Sequence, residues 1–203
     1  MPDSLANKHV VSTSLVRFNI LTILAGLSFQ NTAAKITEAH SVAAVVNGIS
    51  LMMMLSNFYH GKVSTTESPE HISLLRGNPR HALLDYALNI LVITAFVFMP
   101  YYLAQPIRYL EANIVLRALD WLLVVFMAFY LHRDAPRLIY RAQKYWLWFN
   151  VTAVSFYSIL IWAIATWRLD PLIVSIIVLV HICLDMCIDY SRNSELYFGK
   201  TAK

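Results

Sequence analysis

Apolar residues fill this chain in six runs separated by short polar stretches, and each run is close to the length of a bilayer crossing. The runs are 13–30, 41–60, 82–104, 114–132, 146–167 and 171–190. About 20 residues of helix span the roughly 30 Å of hydrocarbon in a membrane. Only helices and closed barrels satisfy every backbone group in lipid, and none of these runs shows the two-residue alternation of a barrel strand. The pattern predicts an all-α integral membrane protein, a bundle of six transmembrane helices forming one domain over 1–203. The first run, TSLVRFNILTILAGLSFQ, is the least apolar of the six.

Composition agrees: 58% of residues are apolar and 14% charged, against about 45–50% and about 25% in soluble domains. The opening MPDSLANKHVV has no basic segment leading into an apolar core and no small-residue cleavage site, so no cleaved signal peptide is expected. The two cysteines, Cys183 and Cys187, lie one helical turn apart, where a bridge would constrain nothing; free thiols are expected.

Basic residues set the orientation. On the side of the N-terminus, the 61–81 loop, the 133–145 loop and the C-terminus there are twelve Lys and Arg: Lys8, Arg17, Lys62, Arg76, Arg80, Arg133, Arg137, Arg141, Lys144, Arg192, Lys200 and Lys203. The opposite side has four, Lys35, Arg108, Arg117 and Arg168. The positive-inside rule then places both termini in the cytoplasm of a multi-pass plasma (inner) membrane protein. It also accounts for the net charge of +4 without a nucleic-acid partner. Tyr59, Tyr130, Trp146, Trp148 and Tyr190 mark the inner boundary, and Tyr101, Tyr102, Trp121 and Trp167 the outer one. Arg133, Arg137, Arg141 and Lys144 recur at three- and four-residue spacing. This suits a short amphipathic surface helix on anionic headgroups, or simply a topological anchor.

Polar residues inside the spans carry the candidate chemistry. A charged side chain at the centre of a membrane helix costs about 2.5–3.5 kcal/mol on insertion scales, and such groups usually face protein or water. His181, Asp185 and Asp189 form a four-residue stripe on the last helix, and His81, Asp85 and Asn89 form another on the third. Asn57, His60 and Asn150 fall at similar depth, so a polar cluster is expected in the cytoplasmic third, centred on Asp85 and Asp185. Three uses compete: structural pairing with Arg17, Arg80 or Arg192, a proton or cation vestibule, and a metal site joining His181 and Asp185 to Asp85 or His60. The structural use is the commonest for carboxylates near an interface, and one helix supplies at most part of a metal site, so no metal is assigned. His60, His132 and His181 do not face one another in pairs, so haem is not expected either. No hydrolase, metalloprotease or phosphate-loop motif is present, and an enzyme is not favoured.

Two further polar faces cross the membrane. Ser12, Asn19, Thr22, Gly26 and Gln30 share one face of the first helix, interrupted by Leu15. Asn47, Ser50 and Asn57 share a face of the second, with Met54 among them. Close packing, helped by the small pair Ala44 and Gly48, is the plain explanation; a pore lined by these faces in a cyclic homo-oligomer is the other. In that pore Leu51, Met52, Met53 and Met54 would be a constriction, or else ordinary gap-filling side chains. The expected function is therefore a small oligomeric channel or ion-permeable membrane protein, with a polar path along helices one and two and an acidic cytosolic vestibule. The alternative is a membrane effector subunit that binds a cytosolic protein partner or perturbs the bilayer through its basic loops. A membrane enzyme or b-haem protein comes third.

Overall fold

The computed structural model describes residues 3–66, 79–131 and 137–198, and every regular element among them is helical. In chain order these are α1 (Asp3–Thr37), α2 (Val42–Thr66), α3 (Pro79–Phe98), a 3₁₀ turn (Met99–Tyr102), α4 (Pro106–Phe126), a π turn (Met127–Leu131), α5 (Arg137–Trp167), α6 (Pro171–Arg192) and a short α7 (Ser194–Phe198). Five described stretches are long and apolar enough to cross a membrane: Val42–Thr65, Ala82–Tyr102, Pro106–Phe129, Arg141–Trp167 and Pro171–Arg192. The expected first crossing, 13–30, lies within α1, which is not among those five.

Several boundaries differ from the sequence expectation, and α2 runs on to Thr66 instead of ending near 60, which places Lys62 on the helix and not in the loop. The fourth helix begins at Pro106 rather than near 114, because proline at the first helical position needs no amide partner and has its φ preset. The fifth begins at Arg137, so 137–145 is not a separate surface helix but the first turns of the long span. Arg133 lies outside the described residues, as does most of the 61–81 loop.

The strongest packing joins α4 to α5 and α2 to α6, while α1 lies against α3 and α2. Leu51, Leu55, Ile93, Leu110, Leu123, Tyr157 and Ile182 are fully enclosed between them. Large apolar side chains also face outward on every crossing helix, among them Ile49, Leu83, Val115, Ile159 and Val180, as lipid contact requires. Since lipid gives apolar side chains no reason to prefer one another, polar contacts and close approach hold such helices together. Ser28 Oγ donates to Phe96 O at 2.8 Å, linking α1 to α3. Asn47 Nδ2 donates to Leu103 O at 2.9 Å, and Tyr109 OH donates to Asn47 O at 3.0 Å, tying α2 to α4 and the turn before it. Gly48 is needed where α1 crosses α2, since a Cβ there would run into the Ile36 side chain.

The α5–α6 turn stores its own strain. Arg168 has φ 50°, the left-handed conformation that favours glycine, and its amide closes the end of α5 on Ile164 O. Two residues later Asp170 Oδ1 accepts from the amides of Leu172 and Ile173, capping α6 ahead of Pro171. Opposite effects are expected from the two sites. Arg168→Gly raises the thermal midpoint in detergent by removing about 1 kcal/mol of strain, and Asp170→Ala lowers it by a loss of about 1 kcal/mol. A lower midpoint for the glycine variant would contradict the left-handed turn.

Candidate functional site: a charged cavity inside the bundle

A cavity of about 70 Å³ opens among α2, α4, α5 and α6, at the end of the bundle where α2 finishes and α5 starts. Its walls are mainly apolar, with Val92, Phe96, Leu116 and Ile182 among them, yet three carboxylates and two basic side chains line it, beside the phenols of Tyr145 and Tyr197. Lys62 comes from α2, Arg117 and Asp120 from α4, and Asp185 and Asp189 from α6. A space of this size holds a few waters, each needing about 10–15 Å³ and two or more polar partners.

The five groups are held very differently. Asp189 is 3% exposed and fully engaged: Trp146 Nε1 (2.9 Å) and Asn193 Nδ2 (2.6 Å) donate to Oδ1, while Tyr197 OH (2.6 Å) and Asn57 Nδ2 (3.4 Å) donate to Oδ2. Gly61 leaves room for that phenol, since a Cβ there would stand 3.3 Å from the Tyr197 hydroxyl oxygen. Burial, followed by the adjacent Asp189 carboxylate, pushes the Tyr197 hydroxyl far above the usual phenol range, so it remains a donor. His60 Nδ1 and Tyr190 OH, 2.9 Å apart, pack beside it.

On α4, Arg117 and Asp120 share one partner. Asn150 Nδ2 donates to Asp120 Oδ2 at 2.8 Å, and its Oδ1 accepts from Arg117 Nη1 at 3.5 Å. The guanidinium lies 4.6 Å from the Phe149 ring centroid, a cation–π contact that compensates part of its lost hydration. Its Nε is buried without an acceptor. Lys62 approaches the Met127 sulfur at 3.7 Å, where the π turn brings α4 across, and lies within electrostatic reach of Asp120 and Asp85.

Asp185 and His181 are the least satisfied. Oδ2 and Nδ1 are 3.1 Å apart, but the angle is wrong for a hydrogen bond and neither atom has another partner. The imidazole is clamped by rings: parallel to Phe156 with centroids 4.4 Å apart, and edge-on to Tyr157 at 5.4 Å. The Tyr157 hydroxyl is within reach of Arg117 but closes no hydrogen bond of good geometry. Arg117 Nε, Tyr157 OH, His181 Nδ1 and Asp185 Oδ2, from α4, α5 and α6, are thus buried without hydrogen-bond partners, and of these four residues Arg117 and Asp185 line the cavity.

The remaining sequence candidates are placed elsewhere. Asp85 is buried, accepts from Asn89 Nδ2 at 3.1 Å, and does not line the cavity with Asp185. Asn47 and Ser50 are buried in helix packing, with Ser50 Oγ donating to Val46 O, so this face of α2 is turned into the bundle. Asn19, Thr22, Gly26 and Gln30 face outward on α1, with Thr22 Oγ1 2.8 Å from Tyr59 OH. Arg141 and Lys144 are exposed, and Arg141 Nη2 donates to Arg192 O at 3.0 Å. His81 and Arg137 fall where only the backbone is described. Cys183 and Cys187 are free thiols. Among the described residues no group of three or more His, Cys, Asp or Glu is arranged to hold a metal ion.

Arg117, Asp120, Tyr157 and the Trp146–Asp189 bond were missed from sequence. Starting the fourth span near 114 placed Arg117 at the outer boundary; starting it at Pro106 puts the Arg117–Asp120 turn in mid-helix. Comparison with protein-family models, curated proteins and solved structures finds no match.

The bonding of Asp189 yields a stability test. Tyr197→Phe removes one charge-assisted hydrogen bond and lowers stability by about 1.5–3 kcal/mol. Asp189→Leu, which strands four donors, costs more than Asp189→Asn, which keeps an acceptor. Thermal unfolding in detergent measures both, and equal midpoints for the Leu and Asn variants would contradict this network.

Proposed function

We propose that this chain is an ion-permeable membrane protein of six spans, with α1 as the sixth and both termini cytoplasmic. The charged cavity is its cytosol-facing vestibule. The observation that carries this reading is the set of five acidic and basic side chains from α2, α4 and α6 gathered in one cavity within apolar helices. Charges so placed are costly and commonly mark ion or proton pathways. Packing alone accounts for Asp189; it does not account for Asp185, whose Oδ2 is buried without a partner.

The path proposed here runs through the interior of each bundle. The α2 face of Asn47 and Ser50 is committed to packing, and the polar stripe of α1 lies on the outside. Asn19, Thr22 and Gln30 are poorly matched to lipid, and a homo-oligomer that seats a second copy against α1 would cover them. With Arg117 assigned to the vestibule, the outer side keeps only Lys35, Arg108 and Arg168, which strengthens the charge asymmetry behind the orientation.

A second reading, an effector subunit acting on anionic headgroups or a protein partner, draws on the exposed Arg141 and Lys144 at the vestibule end. The two separate in reconstituted vesicles. Asp185→Asn and Asp120→Asn reduce ion flux several-fold while the protein remains folded, and Arg141→Glu with Lys144→Glu leaves flux largely intact. Flux that is insensitive to both carboxylates, or absent in the wild-type protein, would overturn the ion-permeable reading.

A further inference from the structure

Opposite charges line the cavity without closing on one another. Asp189 already has its four donors, and Asp120 takes its bond from Asn150. Three lining side chains, one from each of three helices, keep unfilled hydrogen-bonding positions. Asn57 on α2 has its amide nitrogen on Asp189, but its Oδ1 is buried with no donor. Arg117 on α4 makes a single hydrogen bond, the 3.5 Å contact from Nη1 to Asn150, and its Nε has no acceptor. Asp185 on α6 accepts no hydrogen bond on its buried Oδ2, and its side chain is 14% exposed. The Arg117 charge acts on Asp185, yet no hydrogen bond joins the two. A guanidinium and a carboxylate in an apolar bundle are stabilised most by a direct two-pronged pair. Held apart, they leave a gap with donors at one end and acceptors at the other.

The charges decide what fits that gap. A simple cation drawn to Asp185 is opposed by Arg117 and Lys62 on the same walls. A simple anion drawn to Arg117 is opposed by Asp185, Asp120 and Asp189. A solute that carries both signs meets a complementary group at each end, which offsets the water that each end loses. Its size is bounded by the 70 Å³ of the cavity. At about 10–15 Å³ per water this is room for roughly five to seven waters, and so for a solute with about as many non-hydrogen atoms. The cationic end must also bear N–H groups. Phe58, Phe149 and Tyr145 already have Lys62, Arg117 and Arg192 near their faces, at 5.5, 4.6 and 5.8 Å from the ring centroids. Those rings are occupied as partners for a quaternary ammonium, whereas the open oxygens of Asn57 and Asp185 call for donors.

We propose that the cavity is a binding site for a small primary-amine zwitterion, an amino acid of the size of glycine or β-alanine. Its ammonium donates to Asp185 and to Asn57 Oδ1, and its carboxylate accepts from the Arg117 guanidinium. A turn of the Asp185 carboxylate about Cβ–Cγ presents either oxygen. The one or two methylenes between the charged ends lie against the apolar wall formed by Val92, Leu116 and Ile182. This goes beyond the ion-permeable reading and shares with it only the access of solutes to the cavity.

The test is isothermal titration of the full chain in detergent with glycine and with β-alanine, beside methylammonium, acetate and trimethylglycine. Methylammonium and acetate each carry one charged end, and trimethylglycine carries both but has no N–H. Saturable binding is expected for glycine or β-alanine and for none of the other three at the same concentrations. Asp185→Asn and Arg117→Lys should each weaken that binding about tenfold or more. The first removes no existing hydrogen bond and the second keeps the positive charge, so both are expected to stay folded; thermal midpoints without solute check this, and the panel on the wild-type protein needs no variant. Methylammonium or acetate binding as tightly as the zwitterions would overturn the two-ended site, as would unchanged affinity in both folded variants. Sodium or potassium flux in vesicles without saturable binding of either zwitterion would overturn this inference and leave the ion-permeable reading standing. Zwitterion binding without ion flux would support the inference and sink that reading.

Discussion

A carboxylate inside an apolar bundle has lost its water and must find donors, and Asp189 finds four, from α2, α5, the end of α6 and α7. That bonding draws the ends of several elements onto one anion. Removing the carboxylate would strand the Trp146 indole, two amides and a phenol together, which is why this end of the bundle depends on it. α7, a single short helix after the last crossing, is folded back because its Tyr197 supplies the shortest of these bonds along with Asn193.

With that end fixed, the polar groups left over become informative. Arg117, Tyr157, His181 and Asp185 are held in place by ring contacts, a cation–π contact and helix packing, while one polar atom of each stays without a hydrogen bond. Buried polar atoms in folded proteins nearly always have partners, and exceptions usually mark an ordered water or a functional group. Here two of the exceptions, Arg117 and Asp185, line a cavity with room for water, and His181 stands beside Asp185.

Much of the architecture was legible in the sequence because helix length and apolarity are one-dimensional properties. The last two crossings, and the order of His181, Asp185 and Asp189 along one stripe of α6, follow from counting residues along a helix. The four-residue stripe on α6 likewise announced a polar cluster, and Asp185 does line the cavity. What periodicity does not contain is which neighbour a stripe meets. Asp85 and Asp185 were paired by depth alone, yet Asp85 is bonded within α3 to Asn89, and the partners around Asp185 come from α4 and α5. The polar face of α2 was visible as a face, but its use in bonding Leu103 and Tyr109 depends on tertiary placement. The misplaced start of α4 had a larger effect than any other boundary, because it left Arg117 at the outer end of the span and Asp120 unread. Attention to Pro106 as a helix-starting residue would have put both in mid-helix.

Whether water and ions reach Asp185 from the cytosol is the question on which the whole account turns. The direct measurement is thiol labelling of Asp185→Cys, in a background with Cys183→Ser and Cys187→Ser, using a charged, membrane-impermeant reagent applied to sealed vesicles from each side in turn. The account predicts modification from the cytosolic face and none from the opposite face. An inert thiol in a folded protein, or labelling from the opposite face alone, would contradict it.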